Sequence, residues 1–359
     1  MLTSVDNKNG LNTYEYDEKD YLIEENISDN KYKITYSYST DSFKQLNVIS
    51  YYLSNNQIAT NYTYEKNTVN GKDIYTGRIT EIEYTGINNK TIRYEYTYDS
   101  NSNITKILGF TNNNLTYEEN NTYDIFNQLT GQTLTIEGIS YSYNYYYDTK
   151  GNITSYSHYE DYVRTNEASF TYNAKNELTK VVIDGKTYNI TYSSTGQPNK
   201  YFDWDITYDM RGIKVIENEE YYIEYSYNAN GVRTNKRIET PNKVTHIEYT
   251  LNGTNIIEEK RYTNLELTET LQYHYDSSDN IIGFTYNGEK YLYLKNIQQD
   301  IIGIIDQSNN LVVEYNYDGY GNIISMINNT TNKIGEKNPY RYRSYYYDCE
   351  TSWYYLNSR

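Results

Sequence analysis

The chain offers few residues with which to do chemistry. Its histidines are His158, His246 and His274, and a zinc or acid–base site would need partners converging on them in space. His274 alternates with Tyr273 and Tyr275, which places it on the polar face of a strand. All three histidines are expected to be solvated or hydrogen-bonded on sheet faces. Cys349 lies between Asp348 and Glu350. Neighbouring carboxylates raise a thiol pKa and disfavour the nucleophilic thiolate. A single cysteine allows neither a disulfide within the chain nor a Cys-based metal site. Asp99-Ser-Asn101-Ser-Asn103 copies the opening of a calcium loop, but Ile104 and Phe110 stand where that loop needs Gly and Glu. Asp and Asn at this spacing are turn formers. The Gly-containing turns lack a following helix, so a phosphate cradle has no support. Triplets such as Asn152-Ile-Thr154 arise by chance in an Asn- and Thr-rich chain. Arg341 and Arg343 alternate with Tyr340 and Tyr342 and are expected to stack on rings or pair with acidic groups in a structural role. No catalytic, cofactor-binding or metal-ligating residue is assigned, and neither an enzyme activity nor a cofactor is expected.

The elements that position these residues are more legible. Tyrosine supplies 51 of the 359 residues. Tyr94-Glu-Tyr96-Thr-Tyr98, Ile223-Glu-Tyr225-Ser-Tyr227, Leu271-Gln-Tyr273-His-Tyr275 and Val313-Glu-Tyr315-Asn-Tyr317 alternate with period two, which sends rings to one face of a strand and polar residues to the other. Each run ends in Tyr-Asp or Tyr-Asn and a Gly/Asn-rich turn, as at Tyr98-Asp99, Tyr123-Asp124, Tyr147-Asp148 and Tyr172-Asn173. These four tyrosines are spaced by 25, 24 and 25 residues, enough for two strands and two turns. The repeating unit is a β-hairpin. Beyond Tyr227 the spacing stretches, and degenerate copies or inserted hairpins are expected to fill it. Stacked hairpins imply one long antiparallel sheet, all-β, that must twist and curl. Opposed rings on it contribute roughly 0.2–1 kcal/mol per cross-strand pair.

Composition agrees with this architecture. Only 37% of residues are hydrophobic and the mean hydropathy is −0.90, but Pro occurs 3 times and aromatics make up 16%, which is unlike a disordered chain. A net charge of −16 and the absence of a Lys/Arg run argue against nucleic-acid binding. No basic-then-apolar leader and no apolar stretch of about 18 residues is visible, so neither a signal peptide nor a membrane span is expected.

The repeats and the segment that follows them resemble the RHS/YD-repeat proteins, a family that includes polymorphic toxins, wall-associated and Tc toxin relatives, and teneurins. Tyr293-Leu-Lys-Asn-Ile-Gln-Gln-Asp300-Ile-Ile-Gly303, Tyr315-Asn-Tyr317-Asp318-Gly-Tyr320-Gly321-Asn322 and Asn338-Pro339-Tyr340-Arg341-Tyr342-Arg343 resemble its RHS-associated core. So does Glu350-Thr351-Ser-Trp353-Tyr354-Tyr355-Leu356-Asn357-Ser358-Arg359. The resemblance divides the chain into degenerate β-repeats (1–89), a YD/RHS array (90–289) and a core segment (290–359). It implies a spiralling sheet that forms a partial shell, closed at one end by the core. It also implies a non-enzymatic scaffold that normally encloses a C-terminal effector, located outside the cell or on its surface. The expected partners are an enclosed polypeptide or other shell segments. The alternative is a surface protein whose rings bind carbohydrate or protein. In the family a self-cleaving segment follows the core, with aspartates in Asp-Pro-x-Gly contexts. No Asp-Pro pair occurs among Pro198, Pro241 and Pro339, so this reading expects the cleaving segment and the effector to be absent, and an aspartyl self-protease, which needs that segment, is not the expected function. Ser344 and Ser352 stand where the family has Gly, which is unfavourable if those positions need positive φ.

Overall fold

The computed structural model describes residues 3–7, 9–40, 44–53, 56–69 and 71–356. The last residues of the core motif, Asn357, Ser358 and Arg359, lie outside the described residues. Helix among the described residues is confined to the short turns Ile334–Lys337 and Tyr342–Ser344. The rest is antiparallel meander: within each sheet, strands pair with their neighbours in chain order.

Two kinds of connection alternate along the meander. One is a two-residue hairpin turn with both residues at positive φ, such as Glu137-Gly138 (49° and 89°) and Asn287-Gly288 (47° and 95°). This geometry matches the right-handed twist of paired strands. The other is the turn that follows the Tyr-Asp pair. In the copy at Asp148, the backbone N–H of Gly151 donates to the Asp148 carbonyl at 3.1 Å, and that of Asp148 donates to the Asn152 carbonyl at 2.9 Å. Gly151 takes φ 86°, a conformation glycine reaches without strain. Elsewhere Asn127, Asn176 and Gln299 occupy the equivalent position at φ 62–69°.

The expected single sheet is instead two long sheets, of 16 and 14 strands, followed by a two-stranded sheet of Tyr346–Asp348 and Trp353–Tyr355 in the C-terminal segment. The long sheets meet at Ile190, between the strands Lys186–Asn189 and Thr191–Tyr192, where the ladder survives as one bond from the Ile190 N–H to the Thr179 carbonyl at 2.9 Å. The strands here are short, and the chain carries into the second sheet with the same turn chemistry. The gap after Tyr227 holds an inserted hairpin, Lys243–Asn252 with Asn255–Thr263.

The sheets curl until the last repeats lie against the first. Ile282, Leu292, Leu294 and Ile305 project into one core with Ile27, Tyr32, Ile34, Ile58 and Ile82. Their strand neighbours Tyr291, Tyr293, Ile301 and Ile304 project the other way, into a core shared with Ile334, Tyr340 and Tyr346. Alternation along a strand therefore serves two buried faces here, and every residue of Ile281–Tyr286 is buried. The order of layers is first repeats, last repeats, C-terminal segment.

Candidate functional site

The repeat motif is a structural device in every described copy. The Asp148 carboxylate accepts the backbone N–H groups of Lys150 and Asn152 at 2.8 and 2.9 Å. The Asn152 side-chain amide donates to the second carboxylate oxygen at 2.8 Å. Asp99, Asp276, Asp306 and Asp318 repeat this pattern. Asn173 and Asn228 repeat the backbone part through their amide oxygens. The carboxylate takes over N–H groups that the turn leaves outside the sheet ladder. Asp99-Ser-Asn101-Ser-Asn103 is therefore a turn, as expected, with both carboxylate oxygens of Asp99 engaged inside it.

In seven copies the tyrosine before the turn Asp or Asn ties one unit to the unit before it. The hydroxyls of Tyr98, Tyr123, Tyr147, Tyr172, Tyr227, Tyr275 and Tyr317 donate to the carbonyls of Ile79, Ile104, Leu129, Ile153, Ile213, Ile256 and Ile301, at 2.6–2.9 Å. Through most of the array the acceptor stands opposite the preceding such tyrosine, at a bulge: Tyr98 faces Ile104, Tyr123 faces Leu129 and Tyr147 faces Ile153. A bulge leaves one backbone group unpaired, and the next hydroxyl finds a carbonyl there. Tyr38 to Leu22 and Tyr64 to Leu46 extend the series into the first 89 residues. Each link is worth about 1 kcal/mol net.

The closure between first and last repeats is polar as well as apolar. The Tyr32 hydroxyl reaches the carbonyls of Phe284 and Tyr291 at 2.9 and 3.1 Å. The Tyr84 hydroxyl donates to the Lys295 carbonyl. The Asn309 side-chain amide donates to the carbonyls of Gln57 and Gly86 at 3.1 and 2.8 Å. His274 lies inside this contact, hydrogen-bonded on its sheet face as expected, but that face is covered rather than solvated. It is 1% exposed, with Nδ1 2.9 Å from Ser28 Oγ, Nε2 3.0 Å from Thr285 Oγ1 and its ring 4.5 Å from that of Tyr32. The polar face of its strand is covered by residues some 246 positions earlier. Burial, with the nearby positive charges of Lys31 and Lys290, pushes its pKa down to about 3. The ring is a neutral strut. His158 stacks on Tyr143 at 4.4 Å, and His246 is partly exposed beside Glu248 at 3.6 Å. The three histidines do not converge. Among the described residues no group of His, Cys, Asp and Glu could hold a metal ion.

The C-terminal segment is held by buried charge. Asp348 accepts Arg233 Nη1 at 2.8 and 3.0 Å and Lys236 Nζ at 2.7 Å, and Lys236 also meets Glu350 at 2.5 Å. Lys236 is 2% exposed. Burial opposes charge on Asp348, but Arg233 and Lys236 outweigh it and hold the carboxyl below its usual range. Arg233 is sandwiched between the rings of Tyr225 and Tyr355 at 4.2 and 4.1 Å. The setting of Cys349 is thus less acidic than its neighbours in sequence implied, because both carboxylates are paired. The thiol is still raised, by crowding first and Glu350 second. A second set joins Arg261 to Glu259 at 2.5 Å and to Glu269 at 3.1 Å, with Lys337 on Glu269. The hydroxyls of Tyr273 and Tyr346 complete Glu259 at 2.8 and 3.1 Å.

Arg341 is buried and stacks on Tyr347 at 4.4 Å, as expected of a residue that packs on rings. Arg343 lies over Tyr342 and 3.6 Å from Asp300. Ser344 and Ser352 do take positive φ, 54° and 60°. The buried ion pairs were missed from sequence; Arg233 and Lys236 are 115 and 112 residues from Asp348, and only the cluster of cations on the tyrosine-free strand Arg233–Thr240 marks them. Among the described residues no helix is long and apolar enough to cross a membrane.

No family model matches the chain. In sequence it is 28% identical over 180 residues, half its length, to the tRNA3(Ser)-specific nuclease WapA of Bacillus spizizenii and to the tRNA nuclease WapA of Bacillus subtilis. The match spans 7% of each relative. In structure, 97% of the chain superimposes on 19% of the crystal structure of TcdB2-TccC3-TEV, with a TM-score of 0.68 at 17% identity. It superimposes equally widely on a Tc holotoxin pore of Photorhabdus luminescens, with a TM-score of 0.69 at 17% identity. These are toxin relatives of the kind that the repeats and core motif resemble; the chain has the antiparallel-hairpin fold of an RHS shell and is similar in sequence, over half its length, to these RHS-repeat toxins.

Proposed function

We propose that this chain is a wall segment of an RHS-type delivery shell, a non-enzymatic scaffold whose inner side encloses an effector polypeptide outside the cell or at its surface. The observation that carries the reading is the layered closure. Strand Ile281–Tyr286 is buried between the first repeats and the C-terminal segment, as in a wall that curls over a space and is sealed by its own end. In this reading residues 1–89 and 90–289 form the curved wall and 290–359 the seal. Enclosure involves further shell segments, since the chain spans 19% of the shell structures it matches. The nuclease activity named for the wall-associated relatives is not carried to this chain. The surface-recognition alternative needs clustered exposed rings; the repeating Tyr-Asp tyrosines instead donate their hydroxyls to carbonyls, and exposed rings such as Phe126 and Tyr162 lie in turns of different repeats. The test is to fuse an unfolded, protease-sensitive reporter to the C-terminus of the full gene product. Enclosure slows cleavage of the fused reporter well below that of the free reporter, and equal rates overturn the proposal.

A further inference from the structure

The last repeats also touch the middle of the wall, where the turn after Tyr317 meets the strands Leu129–Ile136 and Ile139–Tyr147. The Gly319 N–H donates to Gln132 Oε1 at 2.8 Å. The ring of Tyr320 stands edge-on to that of Tyr145, with centroids 4.9 Å apart. The Tyr320 hydroxyl lies 2.6 Å from that of Tyr147, 173 residues earlier. Tyr147 donates its own proton to the Leu129 carbonyl at 2.6 Å, so Tyr320 is the donor between the two. Each residue is thus positioned from its own side: Tyr147 by Leu129, and Tyr320 by the Asp318 carboxylate, which accepts its backbone N–H at 2.9 Å. Tyrosine hydroxyls also meet at Tyr275–Tyr340 and Tyr249–Tyr346, both at 3.1 Å, but Tyr340, Tyr249 and Tyr346 are buried. Tyr147 is half-buried and Tyr320 is 44% exposed, so this pair is open to solvent.

We propose that Tyr147 and Tyr320 form an oxidative cross-linking site, at which a haem peroxidase with hydrogen peroxide joins the two rings as dityrosine. Each phenol gives up one electron and one proton. The two radicals couple through a carbon ortho to each oxygen, and the hydrogens on those carbons move to the oxygens to restore both phenols. Hydrogen peroxide takes up the two electrons and two protons and leaves as two waters. The ortho carbons lie two bonds from oxygens already in contact, so a modest rotation of the exposed Tyr320 ring brings them together. The bond spans 173 positions and ties the middle of the wall to the core segment. A chain with one cysteine has no internal disulfide to do this, and a cross-link over so long a loop strongly restricts the unfolded chain. The chemistry needs only the two rings and the oxidant and does not rest on the enclosure reading.

The test is to treat the whole protein, in dilute solution, with a haem peroxidase and limiting hydrogen peroxide, and to map joined peptides by mass spectrometry. The link between Tyr147 and Tyr320 should dominate, although Tyr162 and Tyr146 are more exposed, at 89% and 60%. Tyr320→Phe keeps the ring beside Tyr145 and should abolish that link while, unoxidised, unfolding near the wild-type urea midpoint. Oxidised wild type should unfold at a higher midpoint than untreated protein, and oxidised Tyr320→Phe should show no such rise. Links distributed by exposure alone, or Tyr320 joined to Tyr145 instead, overturn the site. A linked chain with an unraised midpoint overturns its role as a staple. The reporter-fusion experiment is independent of each of these results.

Discussion

The middle of the wall, Leu129 to Tyr172, and its closed end, Leu271 to Asp348, use the same hairpin and the same Tyr-Asp turn. They differ in what lies on either side. In the middle, contacts are mostly to adjacent strands, the core is the small cluster of Leu134, Tyr143 and Tyr145, and the strand Ile153–Glu160 has no fully buried residue. At the closed end both faces are covered, and ion pairs lie where solvent cannot reach them. The difference shows how a chain of mean hydropathy −0.90 folds. Near-neighbour links build the wall, as in any stacked repeat, and long-range burial is concentrated where the wall meets itself and its end.

Breaking the buried charge should have the largest effect. Asp348→Ala leaves Arg233 and Lys236 without their shared counter-charge and should cost about 3–5 kcal/mol, read as a lowered urea midpoint; a loss no larger than that of a surface ion pair would place the charge cluster in water. The pH dependence should come next. The native state excludes a proton from His274 down to about pH 3, whereas the unfolded chain binds it near 6.5. The unfolded state therefore binds more protons as pH falls from 6.5 to about 3, and native stability drops by about 1.4 kcal/mol per pH unit across that window. His274→Gln should remove this component, measured as the difference between the two pH–stability curves. The same change at the partly exposed His158 should alter the slope far less, and equal slopes would erase the contrast between the two regions. Tyr172→Phe keeps the ring and deletes one wall link, at about 1 kcal/mol, visible as a small shift in midpoint. Ser352→Gly relieves a left-handed serine and should stabilise by a little under about 1 kcal/mol.

The wall was readable because its information is local. Period-two tyrosine and a turn every 24 or 25 residues specify the hairpin, and the positive φ at Ser344 and Ser352 follows from their place in the core motif. The break at Ile190 was not readable, because the strands either side still carry strand-like residues and only their shortness ends the ladder. The burial of His274 and the pairing of Asp348 were not legible for one reason: the environment of each is set by residues more than a hundred positions away. The role of the YD tyrosine hydroxyl was hidden because the acceptor is a backbone carbonyl, which has no residue type.

Native-state hydrogen exchange tests the layered closure most directly. The account predicts that amides of Ile281–Tyr286 and Ile301–Asp306 exchange more slowly than those of Ile153–Glu160, and that Asn309→Ala, which removes the ties to Gln57 and Gly86, selectively speeds the first group. Equal protection in the two regions, or no selective change in Asn309→Ala, would contradict it.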